Sequence, residues 1–333
     1  MCYSGSQFSK GHEVLFVIVK VLAGLLCLIV GGELLLKGCL NIARRFGMSE
    51  LLVSIIIIGF GTSVPEMLIS VQAALRGSPG IAIGNVVGSN ISNVLLIIGV
   101  KAIILPVYGL VSINIKPHII WWMYATFMLM LVTVFYEINR YVGCFFAISM
   151  VAYAVHVLRI ERGGSSVEQN VIPDYEQNKS GILNNLFVIF AICIGGLTSL
   201  MLGADLFVSG AVDIAMIIGV SEVVTGLTIV AVGSSLPELV MAVVASVRKH
   251  DEMVIGNVIG SNIVNILLVL GVTALIYPPV IPEQIKNFDV FVMALSSAII
   301  GILLYMRITI GRPIAILVML PCYILYSAML YIH

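Results

Sequence analysis

Residues Gly61-Thr62-Ser63-Val64-Pro65-Glu66 read GTSVPE, between LLVSIIIIGF and MLISVQAAL. The flanks are apolar enough to lie in lipid, and the centre holds a helix breaker followed by a carboxylate. Pro65 has no N–H to give, and its ring clashes with the carbonyl four residues back, that of Gly61. A kink there is expected to free carbonyls around Gly59–Thr62. Unpaired carbonyls in hydrocarbon cost several kcal/mol each, so water or a cation must bind them. An acidic side chain at the centre of a membrane helix costs about 2.5–3.5 kcal/mol on insertion scales.

The whole chain matches those flanks. Its 333 residues are 60% hydrophobic and 10% charged, against about 25% charged in soluble domains. This is the composition of an all-α polytopic membrane protein. The formal net charge is zero, so no global field points to nucleic acid or an acidic partner. The six cysteines are scattered without C-x-x-C spacing and read as small apolar fillers. The five histidines are equally dispersed, which argues against a zinc-type cluster. The polar start MCYSGSQFSKGHE does not resemble a cleavable signal.

A bilayer core needs about 20 apolar residues per helix. Ten segments qualify, near 13–36, 49–75, 81–105, 118–136, 141–159, 182–209, 221–247, 253–277, 289–306 and 313–332. Between the fifth and sixth lies one aqueous segment, 161–181, a linker too short to be a domain. Twelve basic residues fall on the linker's side: Lys37, Arg44, Arg45, Lys101, Lys116, Arg159, Arg162, Lys179, Arg248, Lys249, Arg307 and Arg312. Four, namely Lys10, Arg76, Arg140 and Lys286, fall on the other, and Lys20 lies inside the first helix. The excess predicts a cytoplasmic linker in a cell membrane, with both termini outside.

The chain repeats itself at an offset of 172. Over 31–100 against 203–272, 29 of 70 ungapped positions are identical. GTSVPE meets GSSLPE, and GNVVGSNISNVLLIIGV meets GNVIGSNIVNILLVLGV, so Pro65 falls on Pro237 and Glu66 on Glu238. The units are therefore 13–160 and 182–332, each with five helices. Five is odd, so the second enters from the opposite side and the repeats are inverted. Inverted repeats with interrupted helices are a transporter architecture, with the site near the midplane.

The motifs supply hard oxygen ligands. Asn85, Ser89 and Asn93 share one helical face by i, i+4, i+8 spacing, as do Asn257, Ser261 and Asn265, while Ser63 and Ser235 precede the prolines by two residues. Carboxylates, hydroxyls, amide oxygens and carbonyls suit Ca²⁺ or Na⁺ and disfavour zinc or copper. Plainer readings stand beside this one. A lone proline is most often a simple kink. Gly84, Gly88 and Ser92 fit small-residue helix packing. Lys20 is the one candidate for pairing a buried glutamate, and lies in one half only. Glu33 and Asp205 correspond across the repeats but lie near helix ends, which favours an interfacial or packing role. Trp121 and Trp122 read as interface anchors.

The paired motifs resemble the two alpha repeats of the calcium/cation antiporter superfamily, in its compact prokaryotic sodium/calcium exchanger form. The resemblance implies ten helices, with the second, third, seventh and eighth around the ion sites and the first and sixth sliding across them. It implies Glu66 and Glu238 as central Ca²⁺ ligands, with the carbonyls of Thr62 and Ser234. Ser63, Ser89, Ser235, Ser261 and the carbonyls of Gly59 and Ala231 would complete flanking sodium sites, and Asn93 and Asn265 would face the centre. The chain departs at Asn265, where many relatives carry aspartate, at Gly59, where alanine is frequent, and at Ser234, where threonine is. The expected function is exchange of Ca²⁺ for Na⁺ by alternating access, with no cofactor and no protein partner. The alternative is Ca²⁺/H⁺ exchange, since two close carboxylates titrate as a coupled pair. A cation channel fits less well, because channels usually ring a pore with symmetric subunits. An intramembrane enzyme lacks a nucleophile–base set here.

Overall fold

A computed structural model describes residues 4–107, 115–163, 185–218 and 233–330. Among the described residues, nine helices are long and apolar enough to cross a membrane, and a tenth apolar helix is shorter. In chain order these are α1 (Leu15–Phe46), α2 (Glu50–Leu75), α3 (Gly80–Ile104), α4 (Lys116–Phe135), α5 (Arg140–Ile160), α6 (Leu186–Ile217), α7 (Leu236–Val247), α8 (Asp251–Ile276), α9 (Ile285–Tyr305) and α10 (Arg312–Met329). Residues 219–232, the first half of the expected seventh span, lie outside the described residues, as does most of the 161–181 linker. The linker starts later than expected, because the fifth helix runs on to Gly163.

Helix α1 continues to Phe46 and α6 to Ile217, both past the expected ends near 36 and 209. On α6 a charge past the expected end, Asp213, has a partner on α1, and Glu33 of α1 has one on the turn after α7. Arg248 Nη2 lies 2.7 Å from Glu33 Oε1, and Lys20 Nζ lies 2.8 Å from Asp213 Oδ2. Lys20 therefore serves neither glutamate of the motifs. Lys101 is also misplaced by sequence alone. It sits within α3, fully buried, with Nζ donating to the carbonyls of Leu105 and Pro106 and lying 2.6 Å from Asp251 Oδ1. A helix of 32 residues is about 48 Å long, so α1 and α6 exceed the hydrocarbon thickness of about 30 Å and cross with tilt.

Helices α1 and α6 pack along most of their length, because glycines recur every seven residues on both. A Cβ placed on Gly31 would lie 2.7 Å from the Leu200 nitrogen, one on Gly203 2.7 Å from that of Leu28, and one on Gly196 2.6 Å from that of Leu35. Further along, Gly24 faces Phe207, Gly38 faces Cys193 and Gly210 faces Val21. One residue number rises as the other falls, so the helices are antiparallel. They are equivalent segments of the two repeats, so the repeats are inverted. With no hydrophobic drive between helices in lipid, such close backbone approach is what holds the pair together.

Helices α3 and α8 are the most enclosed spans, and α2 lies between them and α1. The small residues of α8 admit α2 to backbone contact. A Cβ on Gly256 would meet the Leu51 carbonyl at 2.7 Å, and one on Gly260 would meet the Ile55 Cα at 2.9 Å. This layer carries the paired motifs.

Candidate functional site

Helix α2 breaks where the motif says it should. It runs through a π-helical turn at Ser54–Gly59, bends at Ser63 (φ −81°, ψ 0°) and restarts at Val64 with Pro65 in its first turn. Pro65 removes one donor, but the Gly61 carbonyl is not left free, since the Ser63 N–H takes it. Helix α7 begins the same way after Ser235 (φ −91°, ψ 8°), with Pro237 in its first turn. Both glutamates stand in the first turn of the restarted helix, where the macrodipole favours a carboxylate.

Both are buried, Glu66 at 0% exposure and Glu238 at 2%. Among the described residues, neither Glu66 oxygen has a hydrogen-bond partner, nor does Glu238 Oε2. The two carboxyls are near enough to sense each other's charge, and Glu238 lies beside Thr62. Among the described residues, no Lys, Arg or His forms an ion pair with either. Two unpaired acids in a low-dielectric interior require a counter-charge. The unpartnered oxygens therefore fit a bound cation.

Around them lies a belt of polar side chains from three helices. Thr62 Oγ1 donates to the Ile58 carbonyl at 2.9 Å and lies 3.5 Å from Ser261 Oγ. Ser261 Oγ is 3.4 Å from the Gly59 carbonyl and 3.4 Å from Asn257 Oδ1. Asn85 Nδ2 donates to the Glu66 carbonyl at 3.1 Å and to Ser70 Oγ at 3.0 Å, tying the restarted helix to α3. Asn93 donates to Asn262 Oδ1 at 3.3 Å, joining α3 to α8. Asn93 and Asn265 each open a π-helical turn, Asn93–Ile97 and Asn265–Leu270. Such wide turns recur at functional sites because they loosen the backbone hydrogen-bond ladder.

The structure thus brings Thr62, Glu66, Glu238, Ser261 and Gly59 together. Ser63 and Asn265 are buried with unpartnered side-chain atoms. Ser89 and Ser235 are also buried, and Ser234 is half-buried at the α7 break. Ala231 lies outside the described residues. Asn262 and Ser70 join the belt beyond the residues the motifs point to. Asn262 carried a signal, because it repeats Asn90; Ser70 has alanine as its repeat mate and carried none. The π-helical turns had no signal in the apolar pattern.

Gly59 has a steric reason. A Cβ there would meet the Ser261 nitrogen at 2.9 Å and the Gly260 carbonyl carbon at 3.0 Å. Gly59→Ala is expected to push α2 off α8 and cost about 1–3 kcal/mol. Thermal unfolding in detergent checks this, and an unchanged midpoint would show that the helices separate freely.

Comparison with known proteins places this geometry in context. The family model described as sodium/calcium exchanger protein matches residues 16–159 and again 188–331. The sodium/calcium exchanger MaX1 of Methanosarcina acetivorans is 30% identical, over 84% of this chain and 89% of its own. Inner membrane protein YrbG of Escherichia coli is 29% identical, over 96% and 98%. A solved structure of the sodium-calcium exchanger NCX_Mj, soaked with zero Na⁺ and Ca²⁺, superposes with a TM-score of 0.80 at 30% identity, covering 95% of this chain and 99% of that one. The two matched segments fall on the two repeats, and the chain belongs to the sodium/calcium exchanger protein family.

Proposed function

We propose that this antiporter exchanges Ca²⁺ for Na⁺ by alternating access. The observation that carries the reading is the buried pair Glu66 and Glu238, with three carboxylate oxygens unpartnered. Two glutamates supply −2 and neutralise one divalent ion. The carbonyls of Thr62 and Ser234 complete its shell with oxygen, as Ca²⁺ requires. Ser63, Ser89, Ser235 and Ser261, with the carbonyls of Gly59 and Ala231, take Na⁺, and Asn93 and Asn265 line the centre. The ions are cargo, and no resident cofactor is needed. MaX1 and NCX_Mj, both sodium–calcium exchangers by name, support sodium as counter-ion.

Proton coupling is the second reading, favoured by the closeness of two buried carboxyls. ⁴⁵Ca²⁺ uptake into proteoliposomes under separate Na⁺ and H⁺ gradients decides between them. Uptake driven by Na⁺ alone is expected. Uptake driven only by H⁺ would replace the sodium reading.

The basic residues further support a cytoplasmic linker, 161–181, joining the five-helix units 13–160 and 182–332, with both termini outside. A linker cysteine in a cysteine-free background is expected to resist an impermeant maleimide in intact cells. Labelling there would invert the orientation.

A further inference from the structure

Glu33 and Arg248 join α1 to the turn between α7 and α8, with Nη2–Oε1 at 2.7 Å and Nε–Oε1 at 2.9 Å. At the repeat offset of 172, Glu33 corresponds to Asp205 and Arg248 to Arg76. The chain therefore carries the same pair of charges twice. The two arginines also occupy the same local structure. Arg76 (φ −83°, ψ 4°) and Arg248 (φ −82°, ψ 0°) each terminate a helix, donating to the carbonyls of Gln72 and Val244. Gly77 and Lys249 follow with φ of +78° and +62°.

What differs is the pairing. Asp205 and Arg76 are both exposed and form no ion pair with each other. The apolar seam beside each pair differs in the same sense. Gly32 of α1 faces Val244 and Val240 of α7, at 3.0 and 3.5 Å from its virtual Cβ. The equivalent positions on α2 are Leu68, which is 49% exposed, and Gln72, which is also exposed. The pair and its seam are thus closed at the α7–α8 end and open at the α2–α3 end. The inverted repeats place these at opposite faces of the membrane.

We propose that Glu33–Arg248 and Asp205–Arg76 are reciprocal latches. The first holds the α7–α8 end shut in the state described, and the second forms when the repeats exchange conformations and the first has parted. Inverted repeats make that exchange available, because each half can adopt the arrangement of the other around a fixed site. The inference rests on the antiport reading above.

The test uses a cysteine-free chain with R76C and D205C and a protease site in the 161–181 linker. A bis-methanethiosulfonate reagent, spanning the two side chains it replaces, joins the cysteines. After proteolysis, only cross-linked halves migrate together on a denaturing gel. Cross-linking is expected to be slow in this chain and faster by about two- to fivefold when R248E parts the other latch, the scale of a partly exposed ion pair. R248K keeps the charge and leaves the rate near its starting value, and E33Q reproduces the acceleration should R248E fold poorly. Cross-linking is expected to stop ⁴⁵Ca²⁺ flux, and reduction to restore it. No cross-link at any time, or a rate unmoved by both R248E and E33Q, overturns the proposal. Flux in the reduced chain judges antiport separately. Absent flux with an accelerated cross-link would remove the antiport reading and leave the latches. Normal flux with an unmoved rate would remove the latches alone.

Discussion

Glu66→Gln and Glu238→Gln are each expected to abolish Ca²⁺ flux, to a similar degree, in protein that still inserts and folds. The two residues hold equivalent places in repeats of opposite direction, and both are buried. Either substitution leaves a buried divalent ion half neutralised and short of an oxygen ligand. Losing one partner from a buried charged set costs about 3–5 kcal/mol, which is more than a hundredfold in affinity. Insertion survives because glutamine removes a charge that is costly in lipid. A site that were only a kink would behave oppositely, with Pro65→Ala harmful and Glu66→Gln silent. Matched ⁴⁵Ca²⁺ fluxes on the three purified variants separate the two, and normal transport by either glutamine variant removes the pair from the mechanism.

Asn265→Asp carries the second large effect, in the opposite direction. Asn265 is fully buried, opens a π-helical turn and has neither amide atom partnered. A carboxylate there would add a third negative charge to the cation's surroundings. Opposite charges about 4 Å apart attract by about 4 kcal/mol at an effective dielectric of ~20. Desolvation and repulsion from the glutamates offset much of that. The expected net is a gain of about tenfold in cation affinity at neutral pH, read by titration calorimetry with Ca²⁺ and Na⁺ in turn. No gain for either ion would mean that Asn265 faces away from the site.

Much of this was legible in the residues. Pro65 and Pro237 marked the helix breaks, because a missing donor cannot be hidden in hydrocarbon. The count of five helices per half, an odd number, implies inversion, and α1 and α6 run antiparallel. Helix ends were less legible, for one physical reason. Hydropathy treats a charge as a cost, whereas Glu33, Lys101 and Asp213 each find a counter-charge across the bundle. Their partners lie 150 or more residues away in sequence, where no window can see them. The Gly61 carbonyl shows the same limit at short range. The proline predicted it free, but the bend at Ser63 brings a neighbouring N–H onto it.

The glycine ladder between α1 and α6 has a consequence for how such a chain could arise. Shifted by 172, the contact of Gly31 with Leu200 becomes that of Gly203 with Leu28. Gly24 with Phe207 likewise becomes Gly196 with Leu35, and Gly38 with Cys193 becomes Gly210 with Val21. Every contact is made twice, once from each side, as at the isologous interface of a two-fold homodimer. A single half-length ancestor carrying this ladder would have matched a second, oppositely inserted copy of itself without further adaptation. Fusion into one chain would then free the two copies to drift apart, and Cys193, whose repeat mate is Val21, marks a position where they have.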